Sequence, residues 1–195
     1  MRREIRWSEW DDPGLGHLRL LLHNDGVVAD GMLIGVAEGR PFRVAYEVRC
    51  DIGWRVRVVR VGAPDSELPA VDQLSDGGNW TMYDGRLVPE LEGCMDVDIS
   101  VTPFTNTLPI QKLGLAPTES PEVSVAYVEG TELQSWPESQ RYTCLEPSNR
   151  DALYRFRSLD GGGFTADLPG DANGLVPDYL EMLRRAFQDE GDPEY

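Results

Sequence analysis

Along most of the chain apolar and polar residues alternate with a period of two, which puts successive side chains on opposite faces of a β-strand. In 42–50, Phe42, Val44, Tyr46 and Val48 share one face, while Arg43, Glu47 and Arg49 share the other. Similar runs at 5–10, 17–22, 27–36, 54–61, 80–83, 87–88, 123–128, 141–145, 153–157 and 164–168 predict further strands. Asn24-Asp25-Gly26, Asp84-Gly85 and Gly161-Gly162-Gly163 supply turn chemistry between them. The doublet Val58-Val59 breaks phase and predicts a bulge. Residues 62–78, rich in Pro, Asp, Gly and Ser, read as a long loop.

The chain is organised around 93–113, GCMDVDISVTPFTNTLPIQKL. Val97, Ile99 and Val101 alternate with Asp96, Asp98 and Ser100, a strand with one apolar and one polar face. Pro103 and Pro109 each remove a backbone donor and restrict the residue before them. The segment between them is therefore expected to leave the sheet as a stiff polar loop and return at Ile110. Helical spacing occurs at the C-terminal end, where Tyr179, Met182, Leu183, Ala186 and Phe187 form one stripe behind Pro177 and Asp178. The predicted fold is mainly β: a large, strongly curved antiparallel sheet, an open or half barrel, with one C-terminal α-helix. It forms one domain over 1–188, with a frayed acidic tail at 189–195. Such a sheet has a concave face to be filled, plugged or left hollow for a ligand.

Charge narrows the partners. With 18 basic and 34 acidic residues the net charge is −16, which repels phosphate backbones and anionic membranes. Nucleic acid is not an expected partner. No apolar run is long enough for stable membrane insertion, and none follows the N-terminal charges as a signal peptide would. Three widely spaced cysteines and two histidines form no zinc pattern, and free thiols suit the cytoplasm. No metal, cofactor or catalytic residue is assigned; the oligomeric state is left open.

Three groups are candidates for ligand binding. Arg55 and Arg57 on one strand could face Asp96 and Asp98 on a neighbour, forming a charged floor for sugar hydroxyls. Thr105 and Asn106 could present a hydroxyl and an amide to a ligand, or satisfy the backbone around the two prolines. Trp54 and Trp80 could stack on a sugar ring, although their alternation with core positions favours packing.

The run Asp96-x-Asp98 followed by Thr102-Pro103-x-Thr105-Asn106-Thr107-Leu108-Pro109-Ile110 resembles a bacterial family named for glycolipid binding. Cys50-Asp51-x-x-Trp54-Arg55, Gly78-x-Trp80, Tyr127-Val128, Gln140-x-Tyr142, Tyr154-x-Phe156 and Gly174-Leu175-Val176-x-Asp178-Tyr179 extend the resemblance over nearly the whole chain. In one departure, Gln111-Lys112 stands where the family has two arginines. The resemblance implies a strongly bent sheet related in shape to the periplasmic lipoprotein carriers. The expected function is non-catalytic binding of a glycolipid or other acylated amphiphile in the concavity. The alternatives are a protein-interaction module with a solid β core and a hydrolase acting on similar amphiphiles.

Overall fold

The computed structural model of the chain describes residues 1–9, 14–66, 69–148, 152–160, 162–171, 174–176, 178–179 and 183–189. It is mainly β, as the alternation predicts, and its large sheet does not close on itself. The strands are β1 (Arg2–Glu9), β2 (Leu15–Leu22), β3 (Gly26–Ala37), β4 (Arg40–Asp51), β5 (Val56–Gly62), β6 (Val71–Asp76), β7 (Asn79–Met82), β8 (Asp96–Ile99), β9 (Glu122–Glu129), β10 (Gln134–Glu146), β11 (Ala152–Ser158), β12 (Thr165–Gly170), β13 (Asp178–Tyr179) and β14 (Leu183–Asp189). They form a nine-stranded sheet ordered β13-β14-β1-β2-β3-β4-β5-β6-β7 and a five-stranded sheet ordered β12-β11-β10-β9-β8. Neighbours are antiparallel except β8 and β9, which pair in parallel with Asp98 opposite Tyr127.

Three expectations change. First, the C-terminal stripe forms a strand, not the predicted helix. β14 pairs with β1 over Glu4–Glu9, satisfying a strand edge that would otherwise present unpaired backbone groups. A helix this short is marginal on its own, so the ladder wins. Leu183 is buried, while Ala186 and Phe187 are exposed, so the stripe never becomes one buried face. Phe187 instead lies beneath the Arg6 guanidinium, 5.2 Å from the ring centroid. Pro177 and Met182 lie outside the described residues, as does the expected tail beyond Asp189.

Second, the segment between the prolines is helical. A 3-10 turn (Pro103–Asn106) runs into α1 (Thr107–Leu113), which Gly114 closes in the left-handed conformation. Thr102 caps the turn, its hydroxyl accepting from the Phe104 N–H. Both prolines sit in a first turn, where the missing N–H costs nothing. Third, residues 62–78 contain β6. Its inward positions are Val71, Gln73 and Ser75, too polar to announce a strand. The bulge falls close to its predicted place: between Arg49 and Cys50 the partners shift from Val58 to Val56.

The 103–113 segment packs between the two sheets. Phe104 and Leu108 join the core cluster of the large sheet and β8; Ile110 joins that of β9 to β12. Burying three such side chains contributes about 1.5–3 kcal/mol each. The Tyr46 hydroxyl meets Thr102 Oγ1 at 3.0 Å, pinning the start of the segment to β4. Gly31, opposite Tyr46 on β3, makes room for that ring: a Cβ there would lie 2.2 Å from Tyr46 Cζ. Part of the concavity is therefore filled by the protein itself.

Candidate functional site

What remains open is a cavity of about 460 Å³. It is bounded by β8 and the 3-10 turn, by β9, β10 and β11, and by Leu183 at the start of β14. Its walls are aromatic and apolar: Tyr127, Trp136, Phe156 and Phe164, with Ile99 and Leu183. The Tyr127 and Trp136 rings are 5.0 Å apart and tilted by 43°. Phe156 lies 6.2 Å from Phe164 and 5.5 Å from Tyr142. Trp136 and Phe164 are 41% and 47% exposed, so they form the rim rather than the floor.

The polar part is acidic. Asp98 is half-buried and accepts from Thr105 Oγ1 at 2.9 Å and Gln140 Nε2 at 2.6 Å. The single proton of the Tyr142 hydroxyl is aimed at Asn106 Oδ1 at 2.9 Å and shared with Gln140 Oε1 at 3.2 Å. This network ties β8, β10 and the 3-10 turn together. Burial pushes the Asp98 carboxyl above the usual aspartate range, the Gln140 and Thr105 bonds oppose this, and the charge of Glu138 adds to it. Burial also drives the Tyr127 phenol up to about 12, with Asp98 reinforcing the shift. Glu138 is buried and accepts from the Ser158 hydroxyl at 2.8 Å. Asp160 accepts from the Ser139 backbone N–H at 2.7 Å. Among the described residues no group of three or more His, Cys, Asp or Glu side chains is placed to hold a metal ion.

Residues 4–185 match the family described as "Putative glycolipid-binding". The chain belongs to this family. It is also similar to a DUF1089-family protein from Pseudomonas aeruginosa, whose crystal structure was solved at 1.80 Å resolution. That protein is 35% identical with a TM-score of 0.75, and the match covers 87% of this chain and 91% of that one. No curated protein matches the chain.

Within this family member the sequence-predicted residues divide sharply. Asp98 and Asn106 line the cavity, and Thr105 stands behind Asp98 as a hydrogen-bond donor. The other five do not line it. Arg55 and Arg57 pair with Asp51 in the β4–β5 hairpin, and Arg57 also reaches Asp76. The proposed ladder to Asp96 and Asp98 does not form, because β8 pairs with β9 and not with β5. Asp96 is fully buried beside Lys112, whose Nζ donates to Oδ2 at 2.5 Å, while Oδ1 has no partner. Its carboxyl is raised by burial, opposed by the Lys112 charge. Trp54 occupies the left-handed region (φ 60°) of the hairpin turn and packs on the core. Trp80 is buried and donates its indole N–H to the Cys94 carbonyl at 2.8 Å.

Sequence reasoning missed Glu138, Ser158 and Asp160, and gave Tyr127 and Phe156 no role beyond the family pattern. The available signal lay in β10. Trp136, Glu138, Gln140 and Tyr142 alternate in sequence, but a carboxylate and an amide in that register do not resemble an inward face.

Proposed function

We propose that the protein binds one end of a glycolipid or other acylated amphiphile in this cavity without transforming it. The observation that carries the reading is the cavity itself, where apolar walls meet a small cluster of converging polar groups, the usual composition of a ligand pocket. At about 30 Å³ per water-sized group the volume holds ~15 such groups. That suits a single sugar or a short stretch of acyl chain, so the rest of a larger ligand lies beyond the rim formed by Trp136 and Phe164. Each methylene buried contributes about 0.8 kcal/mol, and the polar groups fix orientation. An open cavity of this size favours ligand binding over a solid interaction module.

A cytoplasmic setting is part of the proposal, supported by the free, buried thiols of Cys50, Cys94 and Cys144. Among the described residues no helix is long and apolar enough to cross a membrane. The test is native mass spectrometry of protein purified from its own host. A co-purifying amphiphile, lost when Phe156→Trp fills the cavity, is the expected result; a bare protein that also fails to take up a fluorescent acyl probe refutes the reading.

Asp98 and Glu138, two of the three carboxylates lining the cavity, with Asp98 held toward its protonated form, favour hydrolysis as a second reading. Turnover of a labelled glycolipid that is abolished in Glu138→Gln would replace simple binding with this reading.

A further inference from the structure

We infer that the cavity selects an amphiphile whose polar end carries a positive charge, an organic ammonium group such as an amino sugar or alkylamine. This rests on the reading that the cavity binds an amphiphile, and it specifies which kind.

Three carboxylates, Asp98, Glu138 and Asp160, line the cavity, and among the described residues no lysine or arginine does. None of the three makes an ion pair with a described residue. Their partners are neutral: Thr105 and Gln140 for Asp98, Ser158 for Glu138, the Ser139 amide for Asp160. Glu138 is buried and Asp98 half-buried, while Asp160 is exposed at the mouth. A carboxylate withdrawn from water normally acquires a counter-charge, because neutral hydrogen bonds do not repay the loss of hydration. Here the described residues supply none, and a bound cation would.

The walls point the same way. Tyr127, Trp136, Phe156 and Phe164 line the same cavity as the acidic groups, and aromatic faces attract cations within about 6 Å. Several neutral polar side chains of the lining are already engaged. Thr102 meets Tyr46, Ser158 serves Glu138, and Asn106 accepts from Tyr142. What faces the ligand is therefore dominated by acceptor oxygens. A phosphate, sulfate or carboxylate would meet repulsion, and a neutral polyol would find few donors for its own lone pairs. An ammonium group donates only. A bare metal ion is a poor alternative, since the carboxylates do not converge to metal-ligand spacing among the described residues.

The test is calorimetry on the full chain with three amphiphiles sharing a decyl tail, below their micellar concentrations: decylammonium, decyl maltoside and decyl sulfate. Decylammonium should bind at least about tenfold more tightly than the maltoside, with the sulfate weakest. Glu138→Gln keeps the Ser158 bond and should weaken decylammonium about tenfold more than it weakens the maltoside. Trp136→Ala, at the exposed rim, should weaken decylammonium about fivefold. Asp84→Asn, in the remote β7 hairpin turn, should change neither. Maltoside binding as tight as decylammonium overturns the inference and leaves amphiphile binding intact. So does an Asp84→Asn loss equal to that of Glu138→Gln, which would assign the attraction to net charge, or unchanged decylammonium binding in Trp136→Ala. If none of the three binds, the amphiphile reading fails and this inference falls with it.

Discussion

Asp98 shows how one residue is held by its surroundings. Its carboxyl is raised, so the folded protein keeps a proton that the unfolded chain has released. Over the window from about pH 4, the ordinary aspartate value, up to the raised value, the folded state binds more protons. Stability contributed by this group is therefore greatest below the window and falls as pH rises through it. Asp98→Asn should flatten that fall: relative to the variant, wild-type urea midpoints should decline as the pH rises above about 4. Equal pH profiles would show that Asp98 is not desolvated in the fold. The amide is accommodated, because its oxygen can accept from Gln140. Thr105 can then turn its proton to the Thr102 carbonyl, 3.4 Å away. Tyr46→Phe is a simpler case. Thr102 Oγ1 still accepts from the Phe104 N–H, so no buried group is orphaned, and the cost should be about 1 kcal/mol in denaturant unfolding.

At the scale of elements, β14 carries a risk that the edge of β1 makes concrete. A chain ending at Val176 loses the partner of Glu4–Glu9 and the Leu183 wall of the cavity. It should form larger species than the full chain by light scattering, because the bared edge pairs with other copies. Leu183→Ala keeps the ladder and should cost about 3 kcal/mol. The same elements show what the sequence could reveal. Strands whose inward positions are apolar, such as β4 with Val44, Tyr46 and Val48, were legible from alternation. β6 and the first half of β10 were not, because Gln73, Ser75, Glu138 and Gln140 point inward. The failure is informative: two of these four, Glu138 and Gln140, belong to the cavity and its hydrogen-bond network, where function displaces the core pattern. The helical stripe at the C-terminus misled for the opposite reason, since a free strand edge outweighs local period. Asp98 and Asn106 could be found as polar positions on the central segment, whereas Arg55 and Arg57 needed strand order, which no local pattern encodes.

For the whole molecule, a net charge of −16 should make self-repulsion visible. Raising NaCl from about 10 mM to about 150 mM shortens the Debye length to roughly 8 Å. The melting temperature should rise, because long-range repulsion is screened more than contacts such as Arg155–Asp167 at 2.7 Å. A fall in scanning calorimetry would mean that the exposed ion pairs dominate. The selection proposed for the cavity is local, and the Asp84→Asn control separates it from this global field.

The parallel pairing of β8 and β9 has a consequence for how the molecule is made. Parallel neighbours require a long crossover, and here that crossover is the very segment from Ser100 to Pro121 that contains Pro103–Leu113. The stopper is thus threaded into the wall of the vessel. The segment that fills part of the concavity is therefore tethered at both ends to one strand pair, so its reach out of the wall is limited by that pair. Trimming a single side chain of that segment, such as Phe104 or Leu108, opens space without disturbing the strand pairing.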